Sequence, residues 1–337
     1  MNASLGWGRF AKRQSHWALA VMFGLAVLGA AITVHAQDPK VRIGVQAVPP
    51  DEAFVARNWL EPYGIKGEIT QFSSGGDMLQ AFIAGRIDIA NGGSARLVTL
   101  AAKQPEIFYI IAAHQYGGDR YGVMVAKNST ISNIAQLKGK KIGAVKGSGT
   151  YETFCVYLEK NGLSERDFQV INLKVEDIRA SLQQGLVEAG VAWEPFVAIA
   201  ETMGVARRII SMKGINESPN FILVSRSFAE QNPETVTKFL AALIEMADFI
   251  KNKPAEAGKL TADGISKRGV TVDPKALALA FTRLHVSGEV TDQLIAELIP
   301  IAQSMRATNK IKEVPNFEKL VNRIFYQNAL KMAKSRG

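Results

Sequence analysis

The chain has 337 residues, 47% of them apolar and 21% charged, with a formal net charge of +9. That balance fits one or two globular domains with substantial cores and leaves no room for a long disordered tail. Its Lys and Arg residues are scattered rather than gathered in a stripe with interleaved aromatics, so nucleic acid is excluded as the expected partner.

Arg9, Lys12 and Arg13 precede the apolar run ALAVMFGLAVLGAAIT at 18–33, and VHA at 34–36 offers the small residues that signal peptidase needs. A signal peptide over residues 1–36, cleaved after Ala36, is expected. An uncleaved membrane anchor is the alternative, because the run approaches the length of a span. The leader lacks an Arg pair, which points to the general export route. Its removal takes away three basic residues and no acids, leaving +6, a balance that suits an anionic ligand. The single cysteine, Cys155, excludes an internal disulfide and a lipid-modified amino terminus. A soluble periplasmic protein follows, with Cys155 packed beside Phe154 and Leu158 on a buried helix face.

Beyond the leader, two windows repeat one order of elements. The first runs from VRIGVQAVPPDEAF at Val41 to AGRIDIANGGSA, and the second from KKIGAVKGSGTYETF at Lys140 to QGLVEAGVAWEPF. Each reads as strand, Gly/Pro/Ser-rich loop, helix, strand, helix, then a Gly followed by an acid-bearing strand. Gly44 aligns with Gly143, Gly85 with Gly185 and Asp88 with Glu188 after a one-residue gap. Strands alternating with helices imply parallel sheets covered on both faces, here in two related lobes. The apolar stretches at 120–129 and 220–230 are the expected crossings between lobes. The rest of the chain, from about Asn232, has helical periodicity and should pack back on the first lobe.

The segments FSSGGDMLQAFIAGRIDIANGGSARLVTLAAK (72–103), LKGKKIGAVKGSGTYETFCVYLEKNGL (137–163) and SLQQGLVEAGVAWEPF (181–196) together resemble the periplasmic solute-binding proteins of ABC importers for aliphatic sulfonates, taurine and nitrate. The resemblance covers nearly all of the mature chain. It implies a type II periplasmic binding protein: α/β, with two doubly wound sheets joined by two crossing strands and a helical carboxyl-terminal region. The corresponding lobes are residues 37–121 with 226–337, and 122–225. It also implies a monomer that holds its ligand in the interlobe cleft and presents it to ABC permease subunits driven by a cytoplasmic ATPase. Sulfonate or taurine, nitrate, an aromatic carboxylate and a pyrimidine precursor remain open as ligands, as does a sensory role.

Candidate ligand residues sit on the loops that end strands. Ser73, Ser74 and the amides of Gly75 and Gly76 open a helix in lobe one; Gly147, Ser148, Gly149 and Thr150 repeat that arrangement in lobe two. Two helix amino termini facing one another are a ready anion grip, although simple helix capping would also account for these residues. Asn91, Gly92, Gly93 and Ser94 offer donors and close backbone approach, and Trp193 a flat apolar wall on the equivalent loop. Glu194 either accepts from a cationic or hydroxyl group, as on taurine, or interacts with the amino terminus of its own helix. Gln115, with His114 and Tyr116, lies near the first crossing, and Asn220 precedes the returning strand. Gln46 ends the first strand, on a loop that the resemblance places at the cleft. Four His, one Cys and no nucleotide loop or Ser nucleophile elbow give no basis for catalysis, a metal or a cofactor.

Overall fold

A computed structural model describes residues 40–335, and the expected leader and its cleavage point lie outside them. The first lobe is built from β1 (Lys40–Val45), α1 (Pro49–Ala56), β2 (Lys66–Gln71), α2 (Gly75–Ile83), β3 (Ile89–Gly93), α3 (Ser94–Lys103) and β4 (Phe108–Gln115). The second contains β5 (Tyr121–Ala126), β6 (Lys141–Ala144), α4 (Gly149–Lys160), β7 (Gln169–Asn172), α5 (Val175–Gln183), β8 (Ala189–Trp193), α6 (Phe196–Thr202) and β9 (Ala206–Ser211). The returning chain forms β10 (Asn220–Ser225), α7 (Arg226–Gln231), α8 (Pro233–Asn252), α9 (Pro254–Ser266), α10 (Pro274–Thr282), α11 (Asp292–Ala296), α12 (Leu298–Ala307) and α13 (Arg323–Lys334).

The two five-stranded sheets are ordered β2-β1-β3-β10-β4 and β7-β6-β8-β5-β9. In each, the first three neighbours are parallel and one antiparallel strand joins them to the edge. The repeat therefore holds in detail. Gly85 and Gly185 follow α2 and α5 with φ of 66° and 68°, the left-handed helix stop that glycine adopts without a Cβ clash. Asp88 Oδ2 accepts the Arg42 backbone N–H at 2.9 Å, and Glu188 Oε2 accepts that of Lys141 at 2.9 Å. Both acids thus tie the entry of the third strand to the first.

The antiparallel strands correct the sequence reading of the crossings. β5 and β10 are not themselves the links, since each lies inside a sheet with partners on both sides. Asn220–Ser225 consequently belongs to the first lobe's sheet, not to a second lobe ending at 225. The reason is hydrogen bonding: a run such as NFILVS finds partners for its backbone groups and apolar side chains only within a sheet. The chain crosses at residues 116–120 and returns at 212–219.

These crossings are packed tightly. A methyl group on Gly118 would lie 2.2 Å from the Met212 carbonyl oxygen and 2.9 Å from that of Asn216. Gly118→Ala should therefore push the two crossings apart and lower stability in urea unfolding by about 1–3 kcal/mol. Wild-type stability of that variant would refute the close approach.

The carboxyl-terminal helices pack on the first lobe as expected. Phe239, Leu240 and Leu277 join Val41, Ile43 and Trp59 in one core on one side of the sheet, while Leu294, Leu298 and Ala302 join Met78, Leu97 and Phe221 on the other. α10 also reaches the second lobe, where Ala276 and Ala280 meet Ala198 of α6. Cys155 is only half-buried, at the margin of the second lobe's core, and burial pushes its thiol pKa up.

Candidate functional site

Behind the lobe-one loops lies a buried polar hub that the sequence did not suggest. The Asp51 carboxylate, in the first turn of α1 and 5% exposed, accepts from the Gln46 backbone N–H at 2.6 Å, Asn91 Nδ2 at 2.8 Å and His114 Nε2 at 2.7 Å. Gln46 Nε2 donates to Asn91 Oδ1 at 2.8 Å. The bond to a carboxylate places the imidazole proton on Nε2, and Nδ1 is buried without a partner among the described residues. Asn91 and His114 are thus positioning residues, set in the core beneath the ends of β1, β3 and β4. Gln46, half-buried, carries the hub toward the cleft.

At the start of α2 the capping alternative holds for the serine hydroxyl. Ser74 Oγ accepts the Asp77 N–H at 3.1 Å and donates to the Asp77 carboxylate at 2.7 Å, while Ser73 is exposed and directed at the same carboxylate. In lobe two Ser148 Oγ accepts the Tyr151 N–H at 3.2 Å and donates to the Val145 carbonyl at 2.8 Å. Each serine satisfies the third amide of its helix. The first two, of Gly75 and Gly76 and of Gly149 and Thr150, are helix-end donors with no partner among the described residues. The repeat-equivalent loops therefore present backbone N–H groups rather than hydroxyls.

Cationic side chains that the sequence reading missed stand beside these amides. A Cβ on Gly75 would be 3.1 Å from Arg96 Nη1 and 3.0 Å from Gln46 Oε1, so the glycine lets both lie over the helix end. Across the cleft, Glu152 in the first turn of α4 has its pKa raised by burial, with Lys310 and Arg96 opposing the rise. Residues of the first lobe and its returning helices thus face α4 closely enough for their charges to act on it.

The cleft floor is made by the crossings. Ser94 Oγ, at the start of α3, donates to the Pro219 carbonyl at 2.7 Å. Adjacent Ser218, with φ of 40°, holds its hydroxyl 3.2 Å from that of Tyr121 and 3.3 Å from where a Cβ of Gly149 would be. Arg120, 3% exposed, donates from Nη2 to the Tyr121 hydroxyl and the Ser218 carbonyl. Gln115 is paired in register with Asn220, itself opposite Gly93, at the same sheet end, and its side-chain amide has no partner among the described residues. Gly92 is buried in the ladder opposite Phe221.

Two candidates on the β8 loop part company. Trp193 is half-buried and packs edge-on against Phe196 with ring centroids 5.9 Å apart. Both Glu194 oxygens have protein partners: one accepts the Ala198 N–H at 3.0 Å and the other pairs with Arg283 at 2.8 Å. It is 3% exposed, and burial pushes its pKa up against the pull of Arg283. Of the two sequence alternatives, the bond to the Ala198 N–H is the one with its own helix, and a cation from α10's end is added. The arrangement offers amides, guanidinium groups and an aromatic wall. Among the described residues no group of His, Cys, Asp and Glu could hold a metal ion.

Two α/β lobes of this topology, joined by two short crossings with helix amino termini at the cleft, define the periplasmic-binding-protein fold. The chain belongs to the NMT1/THI5-like family, whose model matches residues 54–257. It is similar to a Bacillus subtilis (strain 168) protein named for aliphatic sulfonate binding, with 28% identity over 95% of this chain and 97% of that one. The taurine-binding periplasmic protein of Escherichia coli (strain K12) is 26% identical over 85% of this chain and 92% of its own. The alkanesulfonate-binding protein SsuA of Xanthomonas axonopodis pv. citri, solved bound to MOPS, has a TM-score of 0.71 at 23% identity, covering 86% of this chain and all of that one (100%). The desulfurization enzyme DSZB shares the fold with a TM-score of 0.67 at 16% identity, over 87% and 99% of the two chains. Fold alone therefore does not separate binding from catalysis.

Proposed function

We propose that this chain is the periplasmic substrate-binding component of an ABC importer, and that it captures a small organic anion, an alkanesulfonate or a taurine-like one, without chemistry. The observation that carries this reading is the pair of repeat-equivalent helix amino termini, α2 and α4. Each has its third amide capped by serine and its first two amides free, and guanidinium groups stand beside them. Donors of that kind stabilise an oxyanion by charge-assisted hydrogen bonds. The leader and the names of the relatives support export to the periplasm and a permease partner. With Glu194 committed to Arg283, recognition centres on the anionic end, which favours a plain alkanesulfonate over an amino-sulfonate. Ligand bridging the lobes would shift an open–closed equilibrium about the crossings.

A thermal-shift screen of the mature protein against alkanesulfonates, taurine, nitrate, sulfate, phthalate, benzoate and aminopyrimidines tests the proposal. An alkanesulfonate at a hundred times its dissociation constant should add roughly 2.7 kcal/mol of stability. A rise confined to nitrate or to an aromatic carboxylate would reassign the ligand, and silence from every sulfonate would overturn the reading.

A further inference from the structure

Two part-buried guanidinium groups here have carboxylates: Arg208 pairs with Asp119, and Arg283 with Glu194 and Glu201. Arg207 and Arg226, also part-buried, donate instead to backbone carbonyls and to the Tyr109 hydroxyl. Arg120 is more deeply buried than these, at 3% exposure, yet among the described residues it pairs with no carboxylate. Its Nη1 is buried with no hydrogen-bond partner among the described residues. The nearest acid in sequence, Asp119, is occupied by Arg208 and Ser211. A guanidinium removed from water and left without a counter-charge is costly unless an anion completes it.

Its neighbours point the same way. Nη2 is held by the Tyr121 hydroxyl and the Ser218 carbonyl, so the group is fixed in orientation. The Tyr121 and Ser218 hydroxyls pack directly against Gly149 in the first turn of α4: a Cβ there would be 3.6 Å from one and 3.3 Å from the other. Two free amides, of Gly149 and Thr150, belong to that turn, and α4 is a 12-residue helix. A fixed guanidinium and a helix amino terminus thus meet the same pair of hydroxyls.

The geometry points to this junction as the seat of the ligand's sulfonate head group, with Arg120 as its counter-cation, the Gly149 and Thr150 amides as further donors, and the Tyr121 and Ser218 hydroxyls as orienting groups. This assignment rests on the organic-anion reading above and sharpens it. The anion is anchored at the crossing and at lobe two, and closure brings Gln46 and Arg96 of lobe one over the organic part. A sulfonate offers three oxygens in a tripod, enough to engage guanidinium, amides and a hydroxyl at once.

Calorimetric titration of ethanesulfonate into the mature protein tests the assignment. Arg120→Met should weaken binding by at least about 100-fold, as expected for loss of a buried charge-assisted contact. Arg120→Lys should fall between, and Tyr121→Phe should cost several-fold. Without ligand, Arg120→Met should melt no lower than wild type, because it removes a buried cation that pairs with no carboxylate among the described residues; a purely structural arginine would give a large drop. Should Arg120→Met fail to fold, Tyr121→Phe and the Arg120 side-chain Nε–H NMR resonance of the wild type carry the test, and a resonance unmoved by ethanesulfonate would sink the assignment. Unchanged affinity in both Arg120→Met and Tyr121→Phe would overturn the site while leaving the importer reading intact. A wild type that binds no sulfonate would remove both.

Discussion

Replacing Arg283 by Met should destabilise the protein by about 3–5 kcal/mol at pH 7, the range for stranding a buried charge, and by clearly less at pH 5. Arg283 follows α10 and inserts its guanidinium between two acids of lobe two, 2.8 Å from Glu194 and 2.6 Å from Glu201. The Glu194 side chain is 1% exposed and among the described residues has no other cation within ion-pair distance. The sign of the pH dependence follows from its titration. Burial holds the folded-state pKa of Glu194 above its unfolded value, and Arg283 resists that rise. A raised pKa means that the linked stability is fully present below the unfolded value, about 4.3, and is lost as pH climbs through the folded one. Without Arg283 the folded pKa climbs further, so more stability is lost at pH 7, whereas at pH 5 a larger fraction of the carboxyl carries its proton and depends less on a partner. Urea unfolding at the two pH values gives the comparison. A penalty of equal size at both would show that Glu194 does not depend on Arg283 for its charge.

The same ion pair explains why Glu194 was ambiguous in the sequence. Its partner is 89 residues away, and nothing in AWEPF indicates which carboxylate oxygen meets a helix amide and which a guanidinium. What could be read was local and periodic: the two Gly stops, the acid two or three residues later, and the strand–loop–helix order. These follow from steric and hydrogen-bonding rules acting within a few residues. Ser74 and Ser148 were legible as the openings of helices, but the commitment of their hydroxyls to Asp77, Tyr151 and Val145 was not. Arg120 was harder still. Its importance lies in the carboxylate it lacks, which is visible only when every neighbour in space is known. The crossings were misplaced for a related reason, since an apolar β-branched run signals a strand but not which sheet receives it.

Asp51→Ala is expected to be comparably severe, costing about 2–6 kcal/mol as two buried side-chain donors lose their acceptor. A first-turn acid at the surface, favoured only by the helix dipole, would cost about 0.3–1 kcal/mol on removal. The position of Asp51 says otherwise. Three donors converge on one carboxylate: the Gln46 amide, Asn91 Nδ2 and His114 Nε2. Truncation leaves the Asn91 and His114 donors in the core without an acceptor, and unsatisfied buried groups each cost about 1–3 kcal/mol. Asp51→Asn keeps the shape but turns an NH2 toward donors, so only part of the stability should return. The hub also fixes the loop bearing Gln46, and ligand affinity should fall with stability in Asp51→Ala more than in a core truncation of equal cost elsewhere. A double-mutant cycle with Asn91→Ala should show coupling of about 0.5–3 kcal/mol, as for residues sharing one network. Additive losses, or an Asp51→Ala protein within about 1 kcal/mol of wild type, would reduce Asp51 to a surface acid at a helix end.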